Sequence, residues 1–161
     1  MQIICCGNPG RGDDSAALLV ARKLGELGVE AEIEPGDALD LIESWDENDE
    51  VIVVDAMVTG VAPGTVQVWD NKLPERLLAG TAPTHGLGVG EVVYLAGILH
   101  RLPKRLRTYG IEGKQFYPGN EVSPEVKEAA EKLASEIAEE AAAIRGRVSG
   151  RPGHRVISTS F

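Results

Sequence analysis

The chain holds 161 residues, with 16 Lys and Arg against 25 Asp and Glu, three His and two Cys; 43% of it is apolar and only 4% aromatic. A net charge of −9 argues against nucleic acid, whose phosphates need clustered Lys and Arg. No apolar run approaches the ~20 residues that span a bilayer, and Met1-Gln2 leads directly into Ile3-Ile4 without a basic leader. The expectation is one cytoplasmic domain with no membrane partner, large enough to bury an aliphatic core without disulfide or structural metal.

Met1 to Cys6 is an apolar run that ends in Gly7-Asn8-Pro9-Gly10-Arg11-Gly12, and a helical pattern begins at Asp13-Asp14. Ala17, Leu18, Ala21, Leu24 and Leu27 form its apolar stripe, and Gly28 supplies a stop. Cys5 and Cys6 are adjacent on the strand, so their side chains point to opposite faces. They suit neither a disulfide nor a zinc site and are read as small buried residues. Val29, Ala31 and Ile33 alternate with Glu30, Glu32 and Glu34, the pattern of a half-wet strand near an edge.

Asp37 is placed to cap a second helix through Leu39, Ile42 and Trp45. Glu50 to Asp55 is a continuous apolar run, a strand buried on both faces. The loop from Thr59 to Gly64 is too short for a crossover helix, so the alternating strand Thr65 to Asp70 is expected to run antiparallel to the one before it.

Asn71 to Pro83 is irregular. Gly86 to Leu99 has helical spacing, and Arg105 to Ile111 is the last strand. Ser123-Pro124 opens the final helix, with Ser as cap and Pro at the first position. Its buried face carries Val126, Ala130, Leu133, Ile137, Ala141 and Ile144. From Arg145 onward there are four Arg and no acid, which leaves residues 1–144 a net charge of −13. Residues 146–161 are read as a flexible basic tail after a single domain over 1–145.

These elements predict an α/β three-layer sandwich: a twisted, mostly parallel five-stranded sheet with one antiparallel strand and helices on both faces. In such sheets ligands sit outside the carboxyl ends of the strands. Three features converge there. The glycine-rich loop is neither G-x-G-x-x-G nor a P-loop, and its two carboxylates, Asp13 and Asp14, occupy the place of a phosphate. One Asp would suffice as a helix cap, which makes the second surplus. Asp55 stands where the most hydrophobic strand emerges, a position that also suits a turn. His85 stands at a helix start after Thr84, where Thr84 could equally be a cap beside an exposed His85. Together they offer an O/O/N donor set with open positions, suited to zinc, nickel or manganese.

Gly-Asn-Pro-x-Arg-Gly-Asp-Asp after the first strand, Val-Val-Asp-Ala followed by Ala62-Pro63-Gly64-Thr65, and Thr-His-x-Leu-Gly resemble the nickel–iron hydrogenase maturation endopeptidases. The likeness extends over residues 1–144 and includes Gly110-Ile111-Glu112, Pro118-Gly119 and Ser123-Pro124-Glu125. It implies a cytoplasmic hydrolase that removes a C-terminal extension from the hydrogenase large-subunit precursor after nickel insertion. By motif position, it implies Asp14, Asp55 and His85 as metal ligands and catalytic residues, with Asp13 as an accessory group. The nickel would come with the substrate and serve as a recognition handle, with no organic cofactor. Either Asp13 or Asp14 would be placed to take a proton; no Ser-His or Cys-His pairing suggests a conventional nucleophile. The chain departs from the family's Asp-Asp-Gly-x-Gly at Ser15-Ala16-Ala17. Alternatives are a related α/β peptidase or amidase with another peptide substrate, or a non-catalytic metal-binding module.

Overall fold

The computed structural model describes residues 1–34, 38–47, 49–73 and 88–149. Gln2–Cys6 forms β1, whose side chains divide between two cores, Ile3 and Cys5 in one and Ile4 and Cys6 in the other. That division is the pleat of a strand covered on both faces, and it leaves both cysteines free and buried. Glu50–Met57 forms β3 and repeats the pattern, with Ile52 and Val54 in the first core and Val51 and Val53 in the second.

With β2 at Glu32–Glu34, β4 at Val66–Asp70 and β5 at Arg105–Glu112, the sheet order is β2-β1-β3-β5-β4. The first four of these are parallel and β4 is antiparallel. The short connection does reverse the chain, as expected, but β4 pairs with β5 rather than with β3. β5 lies between them and pairs along the full length of β3, from Glu50 opposite Arg105 to Met57 opposite Glu112.

Two helices, α1 (Ala16–Glu26) and α4 (Pro124–Ser149), cover the first face. Ala17, Val20 and Leu24 meet Val126, Ala130, Leu133 and Ile137 in one core, so the 3.6-residue stripes of the two helices face each other and the sheet. The second face carries α2 (Leu41–Ser44) and α3 (Val89–Ile98). Trp45 fills the gap between them, its indole N–H donating to the Arg101 carbonyl at 2.8 Å. Among the described residues no helix is long and apolar enough to cross a membrane.

Three expectations shift. Strand pairing begins only at Glu32, so the alternation read from Val29 does not hold: Val29 is buried behind α1, while Ile33 is 54% exposed on the edge. Residues Ala38–Asp40 form a 3-10 turn, whose tighter winding breaks the helical count; Leu39 is exposed and Leu41 is buried instead. Asp37, the expected cap, lies outside the described residues. Finally, α4 continues through Gly146 to Ser149, so these four residues belong to the helix rather than the tail. The preceding Glu139-Glu140-Ala141-Ala142-Ala143 are strong helix formers that carry it on.

Candidate active site

The loop leaving β1 is held close to the segment that follows β5. A Cβ on Gly12, whose φ is +59°, would collide with the Gln115 carbonyl, and one on Gly7 would collide with the Asp14 carbonyl. Main-chain bonds seal the contact: Gly12 N–H to Asn120 O at 3.1 Å, Asp13 N–H to Gln115 O at 2.8 Å, and Gly119 N–H to Gly10 O at 2.9 Å. The chain then turns through a 3-10 helix, Gly12–Ser15, and this turn separates the fates of its two acids.

Asp13 is fully buried and accepts four hydrogen bonds. Its Oδ2 receives Lys114 N–H at 2.8 Å, Gln115 N–H at 3.1 Å and Ser123 Oγ–H at 2.8 Å, and its Oδ1 receives Ser123 N–H at 2.7 Å. Burial alone would raise its pKa, but the backbone donors of Lys114, Ser123 and Gln115 and the Ser123 hydroxyl outweigh it and hold the carboxyl below the ordinary range. Of the two acids offered as proton acceptor, Asp13 is the one with four donors on its two oxygens and no exposed surface, and it clamps two loops together. Ser123, expected only as a helix cap, turns its hydroxyl to Asp13.

Asp14 and Asp55, by contrast, line one cavity of about 150 Å³ together with Ala56, Met57, Val58, Leu73, Val89 and Phe116. Asn8 Nδ2 donates to Asp14 Oδ2 at 3.0 Å, and Ser15 Oγ–H in turn donates to the Asn8 carbonyl at 3.0 Å, so Asp14 is braced. Asp55 Oδ1 accepts the Ala56 N–H at 2.8 Å. Burial, with the nearby charge of Asp14, pushes Asp55 well above the usual carboxylate range, and the Ala56 bond only partly opposes this. Two such acids lining one apolar cavity repel one another, and a positive charge between them would remove the repulsion.

His85 and Thr84 lie outside the described residues. Among the described residues no group of three His, Cys, Asp or Glu converges as a metal site. Two further acids carried no assigned role in the sequence: Glu91, and Glu112, which stands only within the likeness. Glu91 also lines the cavity, and its Oε2 accepts the Gly88 N–H at 2.7 Å, closing the first turn of α3. Its signal was present in the spacing, because an acid three residues into a helix is the capping-box position. Glu112, at the end of β5, is 2% exposed and binds the β3–β4 loop. It lies opposite Met57, two residues beyond Asp55 on the neighbouring strand. The cysteines take no part: burial raises Cys5 to about 12 and Cys6 further.

An open, mostly parallel α/β sheet with helices on both faces, and two carboxylates lining a cavity at its carboxyl edge, defines a protein of the open α/β class, in which that edge is where ligands sit. Comparison with known proteins makes this specific. The sequence profile of the hydrogenase maturation proteases (HycI) matches residues 33–140, and the chain belongs to that family. It is 33% identical over 90 residues to the hydrogenase expression/formation protein HupD of Thiocapsa roseopersicina, a match covering 55% of this chain and 41% of HupD. The matched part thus spans about two fifths of that relative's length. The crystal structure of the [NiFe] hydrogenase maturation protease HycI from Thermococcus kodakarensis KOD1 superposes with a TM-score of 0.63 at 28% identity, covering 85% of this chain and 88% of that one. HybD from the same organism gives 0.64 at 25% identity, covering 88% and 99%. The maturating endopeptidase HybD of Escherichia coli, at 23% identity and a TM-score of 0.64 over 93% of this chain and 94% of that one, shares the fold.

Proposed function

We propose that this protein is a cytoplasmic endopeptidase that removes the C-terminal extension of a nickel–iron hydrogenase large-subunit precursor once nickel has been inserted. Family membership supports the reaction class. The observation that carries the reading is the pair Asp14 and Asp55, two carboxylates turned to one cavity whose mutual repulsion a cation relieves.

The nickel is cargo of the substrate, held by the precursor's own thiolates, and Asp14, Asp55 and His85 add ligands to it. Only a loaded precursor then docks well, which makes the metal the recognition handle. For hydrolysis, Asp14, braced by Asn8, accepts a proton from the attacking water. The water oxygen bonds to the scissile carbonyl carbon, the C–N bond breaks, and the proton passes to the leaving amine. The apolar lining of Ala56, Met57, Val89 and Phe116 lowers the local dielectric and strengthens these interactions.

The test is to incubate the protein with a large-subunit precursor, with and without nickel, and weigh the products by mass spectrometry. Loss of a C-terminal peptide only from the nickel-loaded precursor is expected; cleavage in neither state overturns the reading. Asp14→Asn and His85→Ala are each expected to abolish processing in a folded protein, and a wild-type rate in His85→Ala removes that residue from the site.

A further inference from the structure

Glu112 binds the loop beyond β3 with both its main chain and its side chain. Its N–H donates to the Thr65 carbonyl at 2.9 Å, and its carbonyl accepts the Gly64 N–H at 2.8 Å. Its carboxylate accepts the Thr59 N–H on both oxygens, at 2.8 and 3.0 Å, the Thr59 hydroxyl at 2.7 Å and the Gly60 N–H at 2.9 Å. Gln67 Nε2 donates to the same Thr59 hydroxyl at 2.9 Å. One residue therefore ties both ends of the loop.

What the loop carries gives this a purpose. Asp55 to Thr59 line the cavity as one continuous stretch, but they are held by different means. Asp55 lies within the β3–β5 ladder, opposite Gly110, and the ladder ends at Met57 opposite Glu112. Val58 and Thr59 lie past that end, where the Glu112 carboxylate fixes the Thr59–Gly60 turn, with Gln67 bonding the same Thr59 hydroxyl. Val58, which lines the cavity, is 50% exposed, so the loop presents an apolar side chain there where most loops are polar. A large side chain kept out in water on a rigidly held loop gains free energy only when something covers it.

We propose that Glu112 is a positioning residue for the peptide substrate: by fixing the Thr59–Gly60 turn it holds Val58 as an apolar wall against which the precursor's C-terminal segment docks. The inference rests on the proposed endopeptidase activity. Because Asp55 is held by the ladder, loosening the turn weakens docking and leaves the chemical step in place.

The test is the steady-state cleavage of nickel-loaded precursor by Glu112→Gln, Val58→Ser and Thr59→Val, assayed well below their melting temperatures. Leu133→Val, a core change far from the cavity, serves as a control for lost stability. Glu112→Gln puts an amide NH2 against backbone donors, so KM is expected to rise about tenfold with kcat within about threefold of wild type, the signature of lost docking rather than lost chemistry. Val58→Ser is expected to raise KM comparably, and the double variant to show less than the sum of the two effects because both act through one wall. The Leu133→Val control keeps the wild-type KM. An unchanged KM in Glu112→Gln, or a fall in kcat alone, overturns the proposal. If that variant does not fold, an unchanged KM in both Val58→Ser and Thr59→Val does so. Cleavage by the wild-type protein separates the failure of this inference from failure of the activity itself.

Discussion

Asp13 and Asp14 are neighbours in the chain, yet Asp14 lines the cavity with Asp55 while Asp13 is spent on Lys114, Gln115 and Ser123. Asp55 and Glu112, on adjacent strands, divide the same way. In each pair one acid lines the cavity and the other is spent on main-chain donors.

Replacing Asp13 by Asn sets an amide NH2 against backbone N–H groups, which can only donate. The expected loss is about 1–3 kcal/mol, the cost of unsatisfied buried donors, read from urea denaturation. A carboxyl with a lowered folded pKa contributes stability that is present above its unfolded value near ~4 and is lost as pH falls through the folded value. The Asn variant is expected to show a shallower loss of stability in acid than the wild type.

Asp55→Asn acts in the opposite direction on stability. It removes a charge held at a cost by burial and by Asp14, so the melting temperature of the metal-free protein is expected to stay at or above that of the wild type. Processing is expected to fall at least ~100-fold, since even partners that merely orient metal ligands cost roughly 10–100-fold when lost. A clearly less stable variant, measured by calorimetry, contradicts the electrostatic account.

Two glycines of one loop separate strain from collision. Gly10 has φ +74° and open space where a Cβ would stand, whereas Gly12 at φ +59° faces the Gln115 carbonyl. Gly10→Ala is expected to cost about 1–2 kcal/mol of left-handed backbone strain. Gly12→Ala is expected to cost more than that and to reduce processing, because Asp13 and Asp14 follow directly. Equal denaturation midpoints for the two variants count against the close packing of this loop on residues 115–120.

With Cys5 raised to about 12 and Cys6 further still, neither thiol ionises between pH 7 and 9, and both are buried. Iodoacetamide at pH 8 is expected to leave the native protein unmodified and active, and to label both residues only after unfolding. Rapid native labelling, seen by mass spectrometry, contradicts this.

The strands were legible because burial on both faces writes a continuous apolar run into Val51 to Val54, and α1 and α4 because each keeps one stripe. Ile33 and Leu39 were misplaced for local reasons, a late start to pairing and a 3-10 turn, that hydrophobicity does not encode. The site was legible only in part. Asp14 stood out in the glycine-rich loop before α1 and Asp55 in the most hydrophobic strand, and both line one cavity, but nothing local separates Asp13 from Asp14. That distinction depends on Lys114, Gln115 and Ser123, brought against the loop only by the folded sheet. Glu112 stands in the likeness, but its role was hidden for the same reason, since Thr59 and Gly60 are its partners through space.

The longest helix also has a use at the bench. At 26 residues and about 1.5 Å per residue α4 is roughly 39 Å long, starting beside the Asp13 clamp. By Glu140 it has reached Arg107 near the start of β5, and Ala143 and Ile144 are level with Met1 and Arg105, at the end of the sheet opposite the cavity. A cysteine placed at exposed Ala142 would be the one accessible thiol among the described residues. A single dye or surface tether attached there leaves the catalytic edge open to solution, so precursor docking can be followed without an obstacle in its path.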